Sequence, residues 1–214
     1  MLFLLFGSSA AGKTFALDAL RDRMPNMAIH DLDEIGVPPG ADTAWRHRAN
    51  EAWVRRALDY QSQGIDFLLG GQSPLGEILA APSAPLLNGI SACLIDCDDE
   101  TRMARLQARG PEWLASTGAE LQSFLNWAEW LRRHAADPGW NTDVIRHPDT
   151  DGEMSWERWS GWQAGDPRWN VRVIDTSALP VAQVADELAA WIVEETERVR
   201  GDAGRIESAQ SSEG

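Results

Sequence analysis

Short apolar runs alternate along most of the chain with longer stretches that mix apolar and polar residues. The runs are mostly apolar, which is typical of strands buried on both faces of a sheet. They cover residues 2–6, 27–30, 65–69, 89–96 and 171–174. The mixed stretches have helical periodicity and cover residues 15–23, 44–61, 75–80, 100–109, 121–136 and 181–200. This alternation predicts an α/β fold with a parallel sheet between two layers of helices.

Loops that are mostly polar follow the predicted strands on the side where a parallel sheet binds its ligands. In an open parallel sheet, ligands bind beyond the carboxyl ends of the strands. The loops predicted at that edge are residues 7–14, 31–34, 70–73, 96–99 and 175–179. We therefore expect one binding site that is assembled from these loops.

The first of these loops carries the most specific motif. Residues 7–14 read Gly-Ser-Ser-Ala-Ala-Gly-Lys-Thr and match G-x-x-x-x-G-K-T, the Walker A phosphate loop, between a predicted strand and a predicted helix. Lys13 is the only lysine of the sequence, beside 18 arginines, so a chance match is improbable. The alternative is a glycine turn that binds nothing.

The residue types of the motif have a chemical reason. Successive backbone amides and the N-terminal end of the next helix bind phosphate oxygens. We predict that Lys13 reaches the β- and γ-phosphates of a nucleotide and takes part in catalysis, and that the Thr14 hydroxyl binds Mg²⁺. The predicted nucleotide contacts of the loop are Gly7, Ser8, Ser9, Ala10, Ala11, Gly12, Lys13 and Thr14.

Composition narrows the class of protein. The 214 residues are 43% hydrophobic, and we expect one domain over residues 1–200 with an insertion at about 111–170 and a disordered tail at 201–214. A net charge of −14 argues against nucleic acid as a partner. The first apolar run is short and leads into the phosphate loop, so we expect neither a signal peptide nor a membrane span. Cys93 and Cys97 lie too far apart on one predicted strand to pair, which fits a cytoplasmic setting.

Further stretches at the predicted binding edge extend the pattern. They are Asp31 and Asp33 after the second strand, Gly70, Gly71 and Gln72 after the third, an arginine-bearing helix at 98–110 after the fourth, and residues 175–180 after the fifth. With the phosphate loop, they resemble the small P-loop kinases of the adenylate kinase, shikimate kinase and gluconate kinase superfamily, over residues 1–110 and 171–197. The resemblance implies a three-layer P-loop NTPase fold, a five-stranded parallel sheet in the order 2-3-1-4-5, a lid after the fourth strand, and the use of ATP and Mg²⁺.

The resemblance also implies roles for the acidic pair. Asp31 and Asp33 resemble the D-x-D of shikimate-type kinases, which implies that Asp31 serves the magnesium ion and Asp33 the acceptor hydroxyl. Two carboxylates beside a phosphate site are suited to hold a dication and to accept a proton. The alternative is that they only cap the next helix. Thr176, in the loop after the fifth strand, is implied to border the adenine, unless it is an ordinary turn residue.

Several arginines are weaker candidates for the site. Arg109, nearest the lid hinge, is predicted to neutralise charge on the transferring phosphoryl group, with Arg132 or Arg133 contributing from the lid. Arg46 is predicted to hold a carboxylate or phosphate of the substrate, and Gln72 to hydrogen-bond the substrate. The alternatives are a solvated surface for each arginine and a closed turn for Gln72.

The segment at 111–170 has no counterpart in the resemblance. Eight of the eleven tryptophans lie between Trp113 and Trp169. The segment is too long for a short shikimate-type lid and lacks the cysteines of a zinc-bearing one. Its tryptophans either pack this helical lid insertion against the sheet or form an aromatic wall for a flat or sugar-like acceptor.

These observations lead to one functional prediction and two alternatives. We predict an ATP- and Mg²⁺-dependent phosphotransferase that phosphorylates a hydroxyl of a small molecule. A standard Walker B acid is missing from the end of the third strand, which weakens an interpretation as a motor or a GTPase. A nucleoside monophosphate kinase and a non-catalytic, regulatory nucleotide-binding module remain alternatives. The acceptor and the oligomeric state stay open.

Overall fold

A parallel sheet organises the chain. The computed structural model describes residues 1–211. The strands are β1 (Leu2–Phe6), β2 (Ala28–Asp31), β3 (Phe67–Gly71), β4 (Ile90–Asp96) and β5 (Val171–Asp175). They pair in the order β2-β3-β1-β4-β5, and every pairing is parallel. The predicted fold class and strand order are confirmed.

The central strand explains why the first apolar run has no polar position. All of β1 is buried. Leu4 and Phe6 contribute to the core on one face of the sheet, and Phe3 and Leu5 to the core on the other. Because helices cover both faces of a parallel sheet, an apolar side chain is favoured at every position of such a strand.

Helices cover both faces of the sheet. The helices of the described residues are α1 (Lys13–Arg23), α2 (Thr43–Ser62), α3 (Leu75–Ala80), α4 (Asp99–Ala108), α5 (Pro111–Thr117), α6 (Leu121–Ala136) and α7 (Val181–Ser211). Leu17 of α1 and Leu188 of α7 belong to the core on one face. Trp53 of α2, Ile78 of α3 and Leu131 of α6 belong to the core on the other. The three layers are therefore helix, sheet and helix.

The third strand differs from its predicted position. It was predicted at 65–69 and forms at Phe67–Gly71, so two glycines of the predicted loop are strand residues paired with Leu5 and Phe6 of β1. A Cβ atom at Gly70 would lie 2.5 Å from Cδ1 of Leu17. Glycine is therefore required here because α1 packs directly against the strand, not because the chain turns.

Helix α5 is a second difference, since no helix was predicted at 111–117. Pro111 occupies the first position of the helix, where its missing N–H is not needed. Gly118 follows the last position with φ 63°, the left-handed conformation that often ends a helix. Both signals stand in the sequence, although the tryptophan-rich composition obscured them.

The C-terminal helix is longer than predicted. It continues past the predicted end at residue 200 to Ser211, over most of the segment for which we predicted a disordered tail; residues 212–214 lie outside the described residues. A glycine at position 201 lowers helix propensity by only about 1 kcal/mol relative to alanine, and good helix formers follow it. Within the described chain, no helix has the length and apolar character needed to cross a membrane.

Four tryptophans, one on α6 and three after it, pack into the core. Trp130, Trp156, Trp159 and Trp169 are buried in the same cluster as Leu4 and Phe6 of β1, Phe67 of β3 and Leu94 of β4. For these four residues, the structure agrees with the interpretation that they pack the segment against the sheet. That the segment moves as a lid stays a prediction.

Candidate active site

One cavity of about 720 Å³ lies at the carboxyl edge of the sheet. Its wall comes from the phosphate loop, the segments after β2, β3 and β5, and helix α4, as the topology predicts. The predicted site residues on its wall are Ser9, Ala10, Gly12, Lys13, Thr14, Asp31, Asp33, Gln72, Arg109 and Thr176. Gly7, Ser8 and Ala11 lie behind this wall, where Gly7 and Ala11 are buried and the Ser8 hydroxyl donates to the Phe124 carbonyl oxygen of α6 at 2.9 Å.

The phosphate loop depends on close backbone approach and on left-handed backbone. A Cβ atom at Gly7 would lie 2.2 Å from the carbonyl oxygen of Ile95, so only glycine fits between β1 and β4. Gly12 has φ 98° and Ala10 has φ 64°. A left-handed alanine is uncommon and strained, which is typical of a loop whose conformation serves a function.

The N-terminus of α1 is open toward the cavity. Gly12 is the N-cap residue and supplies no side-chain cap, and the first turn of α1 contains no acidic residue. The amides and the positive end of the helix dipole are therefore available to an anion. Thr14, in that first turn, is exposed on the cavity wall. This is the arrangement that a phosphate group needs.

Lys13 is folded back onto the loop. Its Nζ donates to the carbonyl oxygen of Gly7 at 2.8 Å and to that of Ser8 at 3.0 Å. Desolvation by burial lowers the pKa of Lys13 to about 8, although the Asp31 carboxylate partly opposes this shift. Within the described residues, the hydrogen bonds of the ammonium group go to carbonyl oxygens and not to a carboxylate. A bound anion would therefore stabilise its charge.

The acidic pair is fixed by a short 3₁₀ helix, Leu32–Ile35. Asp31 caps it: its Oδ1 accepts from the backbone N–H of Asp33 at 3.0 Å. The Glu34 carboxylate accepts from the backbone N–H of Asp31 at 3.0 Å, which completes a capping box. Glu34 also contacts Nδ1 of His30 at 2.6 Å. Asp31 is thus a cap and a cavity residue at once, so the two sequence interpretations are compatible.

Asp33 has the electrostatics of a proton acceptor. Partial desolvation in the cavity raises the pKa of its carboxyl group, the Asp31 carboxylate raises it further, and Lys13 opposes both effects. A carboxylate whose pKa is raised binds a proton more readily than an ordinary surface aspartate.

Two arginines of α4 brace the loop, a role that the sequence did not reveal. Arg102 is fully buried and donates to the Ser9 carbonyl oxygen and to the Asp96 carboxylate. Arg105 donates to the carbonyl oxygen of Ala10 at 3.2 Å and to that of Thr176 at 2.7 Å. Their helical spacing was visible, but spacing alone could not distinguish a solvated face from one buried against the loop.

Thr176 has a structural role as well as a place on the cavity wall. Its hydroxyl lies 2.9 Å from the carbonyl oxygen of Ala11 and 3.0 Å from that of Asp96, and it accepts from Arg105 at 3.0 Å. The loop after β5 is thereby joined to the phosphate loop. Contact with an adenine stays a prediction.

Arg109 remains available to a ligand. Its guanidinium lies 4.5 Å from the ring centroid of Trp113, and it lines the cavity. It carries no ion pair in the described part of the chain. A cation on an aromatic face at the cavity rim is well placed to meet phosphate charge.

Three other predicted arginines lie outside the cavity wall. Arg46 makes a forked ion pair with the buried Glu77, at 2.8 Å from Nε to Oε2 and 2.6 Å from Nη2 to Oε1. Arg132 donates to the carboxylates of Asp96 and Asp99. The third, Arg133, pairs with Glu129 at 2.6 Å and lies over Trp140. That these three arginines contact a substrate stays a prediction.

The residues present fit a magnesium–nucleotide complex. Mg²⁺ prefers oxygen ligands and usually retains several waters, so it needs few protein groups. The Thr14 hydroxyl and the Asp31 carboxylate supply such oxygens on one cavity wall, next to the open end of α1. The donor set is therefore chemically suitable for both parts of the ligand.

The chain has measurable structural likeness to solved kinases, although no family model and no curated protein matches its sequence. A sugar kinase from Janibacter sp. HTCC2649 is similar with a TM-score of 0.55 at 12% identity, over 89% of this chain and 93% of the other. A gluconokinase from Sinorhizobium meliloti 1021 is similar with a TM-score of 0.51 at 14% identity, over 94% of this chain and 95% of the other. A thymidylate kinase from Candida albicans has 0.50 at 12%, over 92% of both chains. This likeness, the strand order and the phosphate loop show that the chain has the P-loop kinase fold.

Proposed function

We propose that this protein is an ATP- and Mg²⁺-dependent phosphotransferase that phosphorylates a hydroxyl group of a small molecule. One observation carries the proposal: a single cavity brings the phosphate loop with Lys13 together with the acidic pair Asp31 and Asp33, and with Arg109. A phosphate-binding loop alone supports nucleotide binding. A carboxylate with a raised pKa beside it supports transfer to a hydroxyl.

The donor nucleotide is held by the loop amides, the N-terminus of α1 and Lys13, whose Nζ exchanges its loop carbonyl partners for phosphate oxygens. Thr14 and Asp31 would hold a Mg²⁺ ion, which when bound would supply positive charge against the phosphates. The apolar residues Leu179 and Val181, after β5, line the cavity with Thr176 and would form the surface for the base. These assignments rest on two general rules: phosphates bind at the N-terminus of a helix, and ligands bind beyond the carboxyl ends of parallel strands.

The transfer step assigns one role to each remaining residue. The acceptor oxygen forms a bond to the γ-phosphorus, the bond from that phosphorus to the bridging oxygen of ADP breaks, and ADP leaves. Asp33 orients the acceptor hydroxyl and accepts its proton. Arg109 donates to the transferring phosphoryl group and offsets its charge. Arg132 and Arg133 take part only if the segment at 111–170 moves toward the cavity.

The comparisons support the enzyme class more than the acceptor. The similar structures are a sugar kinase, a gluconokinase and a thymidylate kinase, so their acceptors differ. Within the proposed class, a nucleoside monophosphate kinase is the alternative, and a regulatory nucleotide-binding module is the alternative outside it. ATP turnover that depends on Asp33 is expected of both kinases and not of the regulatory module, so it separates the two classes.

The test is ADP release from ATP and Mg²⁺ across a panel of hydroxylated metabolites, antibiotics, nucleosides and nucleoside monophosphates. We expect acceptor-dependent turnover in the wild type and a loss of about 10²- to 10⁴-fold in Asp33→Asn. Asp33→Asn should bind ATP as the wild type does, whereas Lys13→Ala should not bind it. Equal turnover of the wild type and Asp33→Asn on every acceptor would remove Asp33 from the mechanism.

A further inference from the structure

The strand order divides the cavity into two ends. β1 and its phosphate loop lie at the centre of the sheet, with β3 and β2 on one side and β4 and β5 on the other. Cavity residues that follow β2 and β3 therefore lie on one side of the loop, and those on α4 and after β5 lie on the other. Because the loop fixes the phosphates between them, the nucleotide base and the acceptor occupy opposite ends.

The end toward β5 is apolar and cationic. Leu179, Val181 and Ala108 line it, together with Arg105 and Arg109. The Arg105 guanidinium donates to one backbone oxygen of the loop, that of Ala10, and to the hydroxyl and carbonyl oxygens of Thr176. Apolar side chains beside a guanidinium suit a flat base, so this is the donor end.

The end toward β2, which we call the acceptor end, has the opposite character. Its lining residues are Asp31, Asp33, Gly71 and Gln72. Asp31 serves the magnesium ion in the function proposed above, so the Asp33 carboxylate supplies the negative charge that meets the acceptor. The exposed Gln72 amide is the neutral polar group. Among the described residues, no arginine lines this end. Lys13 interacts electrostatically with both carboxylates, and in the function proposed above its charge serves the phosphates.

Arg46, the arginine predicted to hold an anionic group of the substrate, is already paired. Arg46, on α2, is held by the fully buried Glu77 through a forked ion pair, and Asn50 donates to the same carboxylate at 3.0 Å. A forked guanidinium–carboxylate pair leaves little charge for a third partner. The acceptor end therefore remains acidic.

We propose that the acceptor is a hydroxylated compound without a carboxylate or phosphate group, either neutral or carrying an amine. This inference rests on the phosphotransferase function proposed above. The Asp33 carboxylate accepts hydrogen bonds from hydroxyl and ammonium groups, whereas an anionic group placed beside it is repelled and meets no arginine among the described residues that line this end. Sugars, polyols and amino sugars fit this end; sugar acids and nucleoside monophosphates do not.

The first test compares acceptors that share a carbon skeleton and differ in charge. D-glucose, D-glucosamine and D-gluconate form one such set, and uridine and UMP form another. Their dissociation constants are measured by calorimetry in the presence of saturating Mg²⁺ and a non-hydrolysable ATP analogue. We expect each anionic compound to bind at least about tenfold more weakly than its neutral or amine-bearing counterpart. Equal or tighter binding of gluconate or UMP overturns the proposal.

The second test adds a cation to the acceptor end and does not depend on finding the natural acceptor. Gln72→Arg should bind gluconate and UMP at least about tenfold more tightly than the wild type does. Gln163→Arg adds the same charge at an exposed position outside the cavity and should leave both dissociation constants unchanged. If Gln72→Arg gains no anion binding, missing positive charge is not what excludes anions, and the proposal fails even where no sugar binds the wild type.

The same titrations separate failure of this proposal from failure of the proposed function. A wild type that does not bind the ATP analogue with Mg²⁺ contradicts the phosphotransferase. A wild type that binds the analogue and also binds or phosphorylates a sugar acid or a nucleoside monophosphate contradicts only the acceptor class.

Discussion

Lys13 is the side chain in which burial and function conflict most directly. In the free protein it donates only to loop carbonyl oxygens, and burial lowers its pKa to about 8 from an ordinary value of 10.5. Between these two values the unfolded chain binds more protons than the folded one, so the free energy of unfolding rises with pH over that window. The charge that binds phosphate is therefore held at a cost in stability.

This leads to a prediction with two opposite signs. Lys13→Met should abolish nucleotide binding and raise the free energy of unfolding of the free protein at pH 7, since it removes a desolvated charge. In the wild type, nucleotide affinity should fall as the pH rises through about 8, where free Lys13 loses its proton. Urea unfolding at pH 7 and nucleotide titrations from pH 6.5 to 9.5 measure both effects. A destabilised Lys13→Met would show that the loop carbonyl bonds outweigh the desolvation.

The 3₁₀ helix Leu32–Ile35 is the element that positions the acidic pair, and Glu34 holds its first turn. Glu34→Ala removes the bond to the Asp31 amide and the contact with His30. We expect a loss of about 1 kcal/mol in the free energy of unfolding, the usual value of a helix cap. Mg²⁺-dependent nucleotide affinity should also fall, because Asp31 is no longer fixed.

Glu51→Ala is a matched control for this prediction. Glu51 also accepts a backbone amide and two side-chain bonds, but it lies on α2 away from the main cavity. It should lose stability without changing the Mg²⁺ dependence. If both variants change the Mg²⁺ dependence equally, the capping box does not position Asp31. Nucleotide titrations with and without Mg²⁺ give the comparison.

The elements show where sequence patterns succeed. Strand β1 and helix α6 form at the predicted positions. The reason is that an unbroken apolar run is best buried as a central strand, and a regular helical stripe is best buried as one face of a helix. Strand β3 was predicted two residues early, because two consecutive glycines usually indicate a loop. Their reason is tertiary: Gly70 lies against Leu17, and Gly71 lies against Leu32, with a Cβ position 2.9 Å away. No local pattern contains that information.

The cavity shows a similar division for the molecule as a whole. Lys13, Asp31, Asp33 and Thr176 meet there because topology brings strand ends together. The alternation predicted a parallel sheet, and the resemblance implied its strand order. Arg46 was predicted for the same site and lies outside the cavity wall, in an ion pair with Glu77. The sequence shows that an arginine is present, but its partner Glu77 comes from a different helix, so only the folded chain reveals that the charge is already paired.

The pair of Arg46 and Glu77 also links α2 to α3 through the interior. Glu77 is fully buried; burial tends to raise the pKa of its carboxyl group, but Arg46 and His47 together hold that pKa below the ordinary value of 4.5. The stability that the pair contributes is therefore present above pH 4.5 and is lost as the pH falls through the lowered pKa.

Glu77→Gln at pH 7 should lower the free energy of unfolding by about 3 to 5 kcal/mol, because it leaves the Arg46 charge without its partner. The double variant Arg46→Gln/Glu77→Gln should recover part of this loss, measured by urea unfolding in a double-mutant cycle. Additive losses would show that the two side chains act independently.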